Sequence, residues 1–153
     1  MLTMKTKYAL KALARLAALP PDEPALISDL ATQDEIPLKF LQLILRELKQ
    51  HGILRSRKGR GGGYLLARDP HEVTLASILR VMDGPIAPVP CLSKTAYHRC
   101  DGCADEATCA VRLVLKDMHD ATLRVLENTT LAELALYSRQ ANEPGFAISR
   151  YSI

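Results

Sequence analysis

Nowhere does the chain approach the ~20 consecutive uncharged apolar residues that a membrane span needs. Its first residues, basic and then apolar, have the outline of an export signal. Lys11 and Arg15 interrupt that run, however, and no small-residue cleavage site follows. The expectation is a cytoplasmic protein with no membrane partner. Cysteine is scarce as well: there are four, all between Cys91 and Cys109. A disulfide framework in a secreted protein spreads its cysteines along the chain, so this clustering points to a metal, a cluster or a thiol switch. The glycine-rich run from Gly59 to Gly63 lacks both the Gly-Lys-Ser/Thr continuation and the helix of a nucleotide-binding loop. No βαβ pattern surrounds Cys100 and Cys103, which argues against a thioredoxin-type redox enzyme; no enzymatic activity is expected.

What is present is a globular composition, 48% apolar in 153 residues. That suffices for one domain with a core, or one small domain plus an appendage. The net charge of +3 is unevenly placed. Residues 1–70 carry 12 Lys/Arg against 7 Asp/Glu, whereas residues 71–153 carry 8 against 10. A basic front half suits a polyanion.

Residues 6–19 place Tyr8, Ala9, Ala12, Leu13, Leu16 and Ala17 on one helical face, and Pro20 and Pro21 end the helix. A short helix follows, for which Ser28 is the expected cap, with Leu30 and Ala31 facing inward. Ile36 and Pro37 open a stronger helix. Its stripe Leu41, Ile44, Leu45, Leu48 belongs in a core, and Lys39, Gln42, Arg46 and Lys49 fall on another side. Two helices in this arrangement, the second with a basic face, have the helix-turn-helix layout. An ordinary helical hairpin with a solvated face shares the pattern.

The next segment discriminates. Ile53–Arg57 and Tyr64–Ala67 read as strands, joined by the basic, glycine-rich tip Lys58-Gly59-Arg60-Gly61-Gly62-Gly63. Arg55, Arg57, Lys58 and Arg60 supply cations. Glycines such as Gly61 and Gly62 allow close backbone approach, and arginine is drawn to a narrow minor groove. A hairpin directly after a recognition-type helix is a wing. The fold class is therefore mainly α with a small β-hairpin wing: a winged helix-turn-helix plus a long C-terminal dimerisation helix.

Val73–Met82 forms another short helix, stopped by Asp83-Gly84-Pro85. Residues 84–108 lack periodicity, and a loop of about 25 residues in a compact protein is usually functional or disordered. A long helix begins at Cys109. Along it Val111, Val114, Met118, Ala121 and Val125 repeat at 3, 4, 3, 4, a coiled-coil-like seam. A second subunit would cover this seam; folding back on the first helices is the alternative. Thr130-Leu-Ala-Glu133 is a capping box opening a last helix to about Tyr137. The organisation expected is a DNA-binding domain at 1–83, a sensor loop at 84–108, dimerisation and last helices at 109–137, and a loose tail at 138–153.

The cysteines follow the pattern Cys91-x8-Cys100-x2-Cys103-x5-Cys109. Thiolates hold iron–sulfur clusters and zinc. A small zinc site usually takes two close pairs, and only Cys100/Cys103 is one. An iron–sulfur cluster, a zinc site and a metal-free thiol switch all remain open on spacing. His98 and His119 are further donors by type, each reading first as a solvated or packing histidine.

These residues resemble the Rrf-two (Rrf2) family of winged-helix regulators, whose members include an iron–sulfur cluster regulator and a nitric-oxide-sensitive repressor. The resemblance covers roughly residues 1–135. It rests on Tyr8-Ala9-Leu10, on Ile36-Pro-Leu-Lys-Phe-Leu41, on Leu48-x3-Gly52-Ile-Leu54, on the wing motif Gly61-Gly-Gly-Tyr64-Leu-Leu-Ala, and on late cysteines before a long helix. It implies a homodimer on a palindromic operator in double-stranded DNA, the recognition helix in the major groove and the wing in the adjacent minor groove. It also implies a two-iron or four-iron cluster on three cysteines, here Cys91, Cys103 and Cys109, with a fourth ligand that varies between members.

Three departures stand out. The gap from Cys91 to Cys103 is longer than usual and contains Cys100, which becomes a fourth ligand, a substitute for Cys103 or a resolving thiol. Where some members place an acidic ligand in the first helix, this chain has Lys7. Where relatives often have proline in the wing, it has Arg60. On this reading Lys39, Gln42 and Arg46 meet the major groove, and Arg55, Arg57, Lys58 and Arg60 serve the wing. A change at 91–109 would alter the spacing of the two recognition helices.

Overall fold

In the computed structural model, which describes residues 2–141, Thr3 opens the first helix: its Oγ accepts the Thr6 amide at 3.2 Å. That cap starts α1 (Met4–Ala18) two residues earlier than the apolar periodicity indicates. Ala9, Ala12 and Leu13 are fully buried along it.

α2 (Ile27–Gln33) corrects one expectation. Ser28 is not its cap but lies in its first turn, and the capping position is Leu26, which makes no side-chain cap bond. The cause is the preceding residue. Ala25 exchanges two backbone hydrogen bonds with Tyr64, at 2.8 and 2.9 Å, holding the chain extended until Leu26. The helix can then begin only where that pairing ends.

A turn with Glu35 at φ 54° leads into α3 (Leu38–Gln50). Leu41, Ile44, Leu45 and Leu48 are fully buried against α1, as their spacing requires. Each such side chain contributes about 1.5–3 kcal/mol of burial. The hairpin β1 (Leu54–Arg57) and β2 (Gly63–Leu66) is antiparallel, with Leu54 opposite Leu66 and Arg57 opposite Gly63.

α4 (Leu75–Asp83) starts at Leu75 rather than Val73, because Thr74 caps it and Val73 is used elsewhere. The Leu131 amide donates to the Val73 carbonyl at 2.8 Å, and the Leu75 amide to Thr129 at 2.9 Å. From α4 the chain runs through residues 84–109, where a 3-10 turn at Pro90–Leu92 is the regular element among the described residues. It then forms α5 (Ala110–Asn128). The capping box is present, with the Thr130 amide on Glu133 Oε2 at 2.8 Å and the Glu133 amide on Thr130 Oγ1 at 3.3 Å.

α6 (Leu131–Ala141) packs along α1, with Leu131 fully buried in the common core. It continues past the expected end at Tyr137, so residues 138–141 are helical. The rest of the expected tail lies outside the described residues. Folding back onto the first helix is thus what α6 does, while α5 packs chiefly on α4. Ion pairs join the elements: Lys5–Glu47 at 2.7 Å from α1 to α3, and Arg80–Glu127 at 2.7 Å from α4 to α5.

Gly63 is where this architecture tolerates least. It sits at φ 151°, and a Cβ there would lie 2.3 Å from the Ala25 carbonyl oxygen. Both partners of that clash are backbone, so neither can swing away. Gly63→Ala is expected to cost about 1–3 kcal/mol, in the range of overpacked cores. A thermal melt checks this; an unchanged Tm would show that the Ala25–Tyr64 pairing is not holding the wing.

Candidate nucleic-acid interface and cysteine loop

Lys39, Gln42, Arg46 and Lys49 are all exposed on α3. One residue of that face escaped the sequence reading. Leu43 is 61% exposed, one helical turn from both Lys39 and Arg46. Its signal was its position outside the buried stripe. An apolar side chain among basic ones suits the methyl group of thymine. Lys49 Nζ donates to Ser56 Oγ at 2.7 Å, fastening the end of the helix to the first strand of the wing.

The wing's cations divide into two kinds. Arg55 pairs with Asp22, a residue at φ 63° in the turn after α1. Arg57 donates to the Gly61 carbonyl at 3.1 Å and to the Asp22 carbonyl at 3.5 Å. These two guanidiniums brace the hairpin. Lys58 and Arg60 are exposed at the tip. The glycines divide likewise. Gly61 is exposed, whereas Gly62 is buried and its amide donates to the Gly59 carbonyl at 2.9 Å. A Cβ on Gly62 would lie 2.3 Å from the Arg57 carbonyl oxygen. Gly62 therefore closes the tip rather than presenting a free amide. Asp22 went unnoticed in the sequence, since nothing local marks it as the anchor of residues 33 and 35 positions away.

All four cysteines are free thiols; Cys91 is buried and the other three are half-buried. Cys91 sits in the 3-10 turn and Cys109 at the N-cap of α5, where its Sγ accepts the Arg112 amide at 3.5 Å. Between them, Cys100-Asp101-Gly102-Cys103 is a tight turn closed by the Cys103 amide on the Cys100 carbonyl at 3.2 Å, with Gly102 at φ 72°. Tyr97 Oη donates to Glu106 Oε1 at 2.8 Å, and Arg112 Nε lies 3.9 Å from Glu106 Oε2. Lys7 is exposed on α1.

Burial pushes the Cys91 thiol up from its ordinary range. The neighbouring Cys100 thiol and the Glu106 carboxylate add to this, and Arg112 opposes it. In kind and number the four thiols suit an iron–sulfur cluster or zinc. In arrangement, Cys91 and Cys100 are neighbours, and no group of three or more metal-binding side chains converges among the described residues.

A basic helix face, a braced wing beside it and a helical core define a winged helix-turn-helix protein. Residues 2–136 match the model of the Rrf2 family, described as an iron-dependent transcriptional regulator, and the chain belongs to that family. A putative HTH-type transcriptional regulator, Rrf2-like, from Rhodobacter capsulatus is 43% identical over 137 residues, covering 88% of this chain and 91% of the relative. The HTH-type transcriptional regulator IscR of Serratia proteamaculans is 29% identical over 133 residues, covering 87% of this chain and 77% of the relative. Among solved structures, CymR, the global cysteine regulator of B. subtilis, superposes with a TM-score of 0.75 at 28% identity, covering 90% of this chain and 97% of CymR. IscR of T. potens superposes at 0.73 with 20% identity, over 99% of this chain and 96% of that one, a likeness of fold. The family and these relatives are transcriptional regulators, not enzymes, and the family implies DNA binding. Among the described residues no helix is long and apolar enough to cross a membrane.

The raised Cys91 thiol gives a pH-dependent expectation. Alkylation needs the thiolate, so a raised pKa delays reaction to higher pH. In metal-free protein treated with iodoacetamide at pH 8, mass spectrometry should find Cys91 modified slowest of the four, gaining rate only as the pH climbs further. Labelling of Cys91 as fast as Cys100 would contradict its burial.

Proposed function

We propose that the protein is a homodimeric, sequence-specific DNA-binding transcriptional regulator that reads a palindromic operator, with its DNA binding governed by the cysteine segment 91–109. The observation that carries the DNA-binding reading is the exposed set Lys39, Gln42, Leu43 and Arg46 on one face of α3, fastened by Lys49 to a wing tipped with Lys58 and Arg60. Glutamine suits adenine, and arginine suits guanine or phosphate. Arg55 and Arg57 brace the wing, and Gly61 is exposed at its tip.

Dimerisation is supported by α5. Val111, Val114, Met118 and Val125 are each more than half exposed along it, although their spacing is that of a packed seam. A second copy of the helix is the surface that fits a repeating apolar stripe, and two-fold symmetry matches a palindrome. The domain organisation that follows is a reading head at 1–83 completed by α6, a sensor loop at 84–108, and α5 as the dimer helix.

The sensor reading assigns an iron–sulfur cluster to Cys91, Cys103 and Cys109, with Cys100 as a fourth thiol. When bound, such a cluster supplies a redox- and oxygen-sensitive crosslink among the thiolates that hold it. This chain's own residues connect the loop to the reading head. α5 leaves directly from Cys109, buries Leu123, packs on α4 and is pinned there by Arg80–Glu127. A metal-free thiol switch of the same fold is favoured by one observation, the closeness of Cys91 to Cys100.

Two measurements test these readings. With an operator obtained by selection from random duplexes, Arg60→Ala should lower the slope of log affinity against log salt by about one unit per bound subunit. An unchanged slope removes the wing tip from the interface. Protein purified without oxygen should be brown and contain iron, with visible absorption bleached by air and absent after serine replacement of Cys91, Cys103 or Cys109. Colourless, iron-free protein from the same preparation would exclude the cluster and leave the thiol switch.

A further inference from the structure

Leu43 stands in mid-helix on α3, 61% exposed, outside the buried set Leu41, Ile44, Leu45 and Leu48. A lone leucine on a protein surface is common. What sets this one apart is its place. At 3.6 residues per turn, the four buried side chains centre on one direction, and Lys39, Leu43 and Arg46 lie within about 30° of the opposite one. The three are exposed at i, i+4 and i+7 and form the outward ridge of the helix. Leu43 is the middle of that ridge, with a cation one turn away on either side. The buried four fix the roll of α3, so the ridge keeps one heading.

The chemistry of the ridge narrows what its centre can meet. Leucine has no charge and no hydrogen-bonding group, so it gains nothing from a phosphate; Lys39 and Arg46 serve that purpose. With α3 in the major groove, the proposed reading on which this assignment rests, the base edges present hydrogen-bonding groups and a single kind of apolar group, the C5 methyl of thymine. Against cytosine, Leu43 would strip water from the N4 amino group and offer it no acceptor. Against guanine it would do the same to O6 and N7. Either outcome leaves polar groups unpaired at a cost. Against thymine, methyl meets methyl and both leave water.

We propose that Leu43 is a specificity-determining residue that packs on the C5 methyl of one pyrimidine in each half-site. In unmodified DNA that pyrimidine is thymine. 5-Methylcytosine carries the same methyl at the same ring position and recovers the apolar contact that cytosine lacks.

The operator selected from random duplexes is resynthesised with each thymine in turn replaced by deoxyuridine, which pairs identically and lacks only the methyl. Affinity of the full chain for each duplex is measured at fixed salt. One thymine per half-site should be sensitive, its replacement weakening binding about fourfold, the worth of one buried methyl group. Leu43→Ala should bind the parent operator more weakly and show no penalty at that thymine. At the same position, 5-methylcytosine should bind the wild type more tightly than cytosine does, and Leu43→Ala should not distinguish the two. The exposure of Leu43 predicts an unchanged thermal melt for the variant; should it fold poorly, Leu43→Gln replaces it and should likewise lose the uracil penalty. A flat uracil scan with wild-type protein overturns the assignment. So does a penalty that persists in the variant, which would place its origin in DNA stiffness or in another residue. If selection enriches no sequence, sequence-specific reading fails and the assignment with it, whereas an enriched operator with a flat scan strikes Leu43 alone.

Discussion

Two backbone hydrogen bonds hold the molecule to its plan, from the Leu131 amide to the Val73 carbonyl and from the Leu75 amide to the Thr129 carbonyl. They close a ring in which residues 75–129 leave the core and return to their starting point. α4 remains attached to the core through Ile78 and Met82, and everything from Gly84 to Asn128 is an excursion clamped at both ends. The cysteines and the apolar helix face lie on that excursion, and the basic surface lies off it. Separation of the basic surface from the cysteine segment is therefore built into the backbone pairing, before any side-chain chemistry. Sequential helices on one core suffice for the winged part, and the return through α6 adds to the α4 packing and the Arg80–Glu127 pair that tie α5 to it. Leu131, fully buried at the junction, is the packing counterpart of the same constraint.

The reading head was legible because its signals are short-range and redundant. The buried stripe of α3, the prolines after α1, the basic glycine-rich tip of the hairpin and the Thr130–Glu133 box each depend on residues within a turn or two of one another. The failures share a cause as well. Ser28 has the chemistry of a cap, but the start of α2 is decided by Ala25 pairing with Tyr64, 39 positions away. Val73 has the hydropathy of a helix and is taken instead by a bridge formed with the far end of the chain. Asp22 carries no motif, and its work on Arg55 and Arg57 exists only in three dimensions.

The cysteine segment was legible in place but not in arrangement. Spacing located four thiols between two helices, and the resemblance proposed which three act together. The folded chain sets Cys100 and Cys103 on either side of a glycine turn and brings Cys91 into the neighbourhood of Cys100. No sequence spacing encodes that, because a loop's path is set by scattered hydrogen bonds such as Tyr97–Glu106 and Asp105–Thr108. His119 is a similar case. Its burial is a tertiary property that a helical wheel of α5 alone does not contain.

The braced wing has a consequence for anyone who would retarget this scaffold. Hairpin tips are commonly treated as free ground for randomised libraries, yet here the tip is two different materials. Positions 58 and 60 are exposed, so their substitution changes charge and reach while the fold stays intact. A Cβ at position 62 or 63 would run into backbone, so a library that opens them selects first for survival of the hairpin and only afterwards for recognition. On the proposed reading, a repertoire confined to 39, 42, 43 and 46 on the helix and 58 and 60 on the wing would place its diversity at exposed positions.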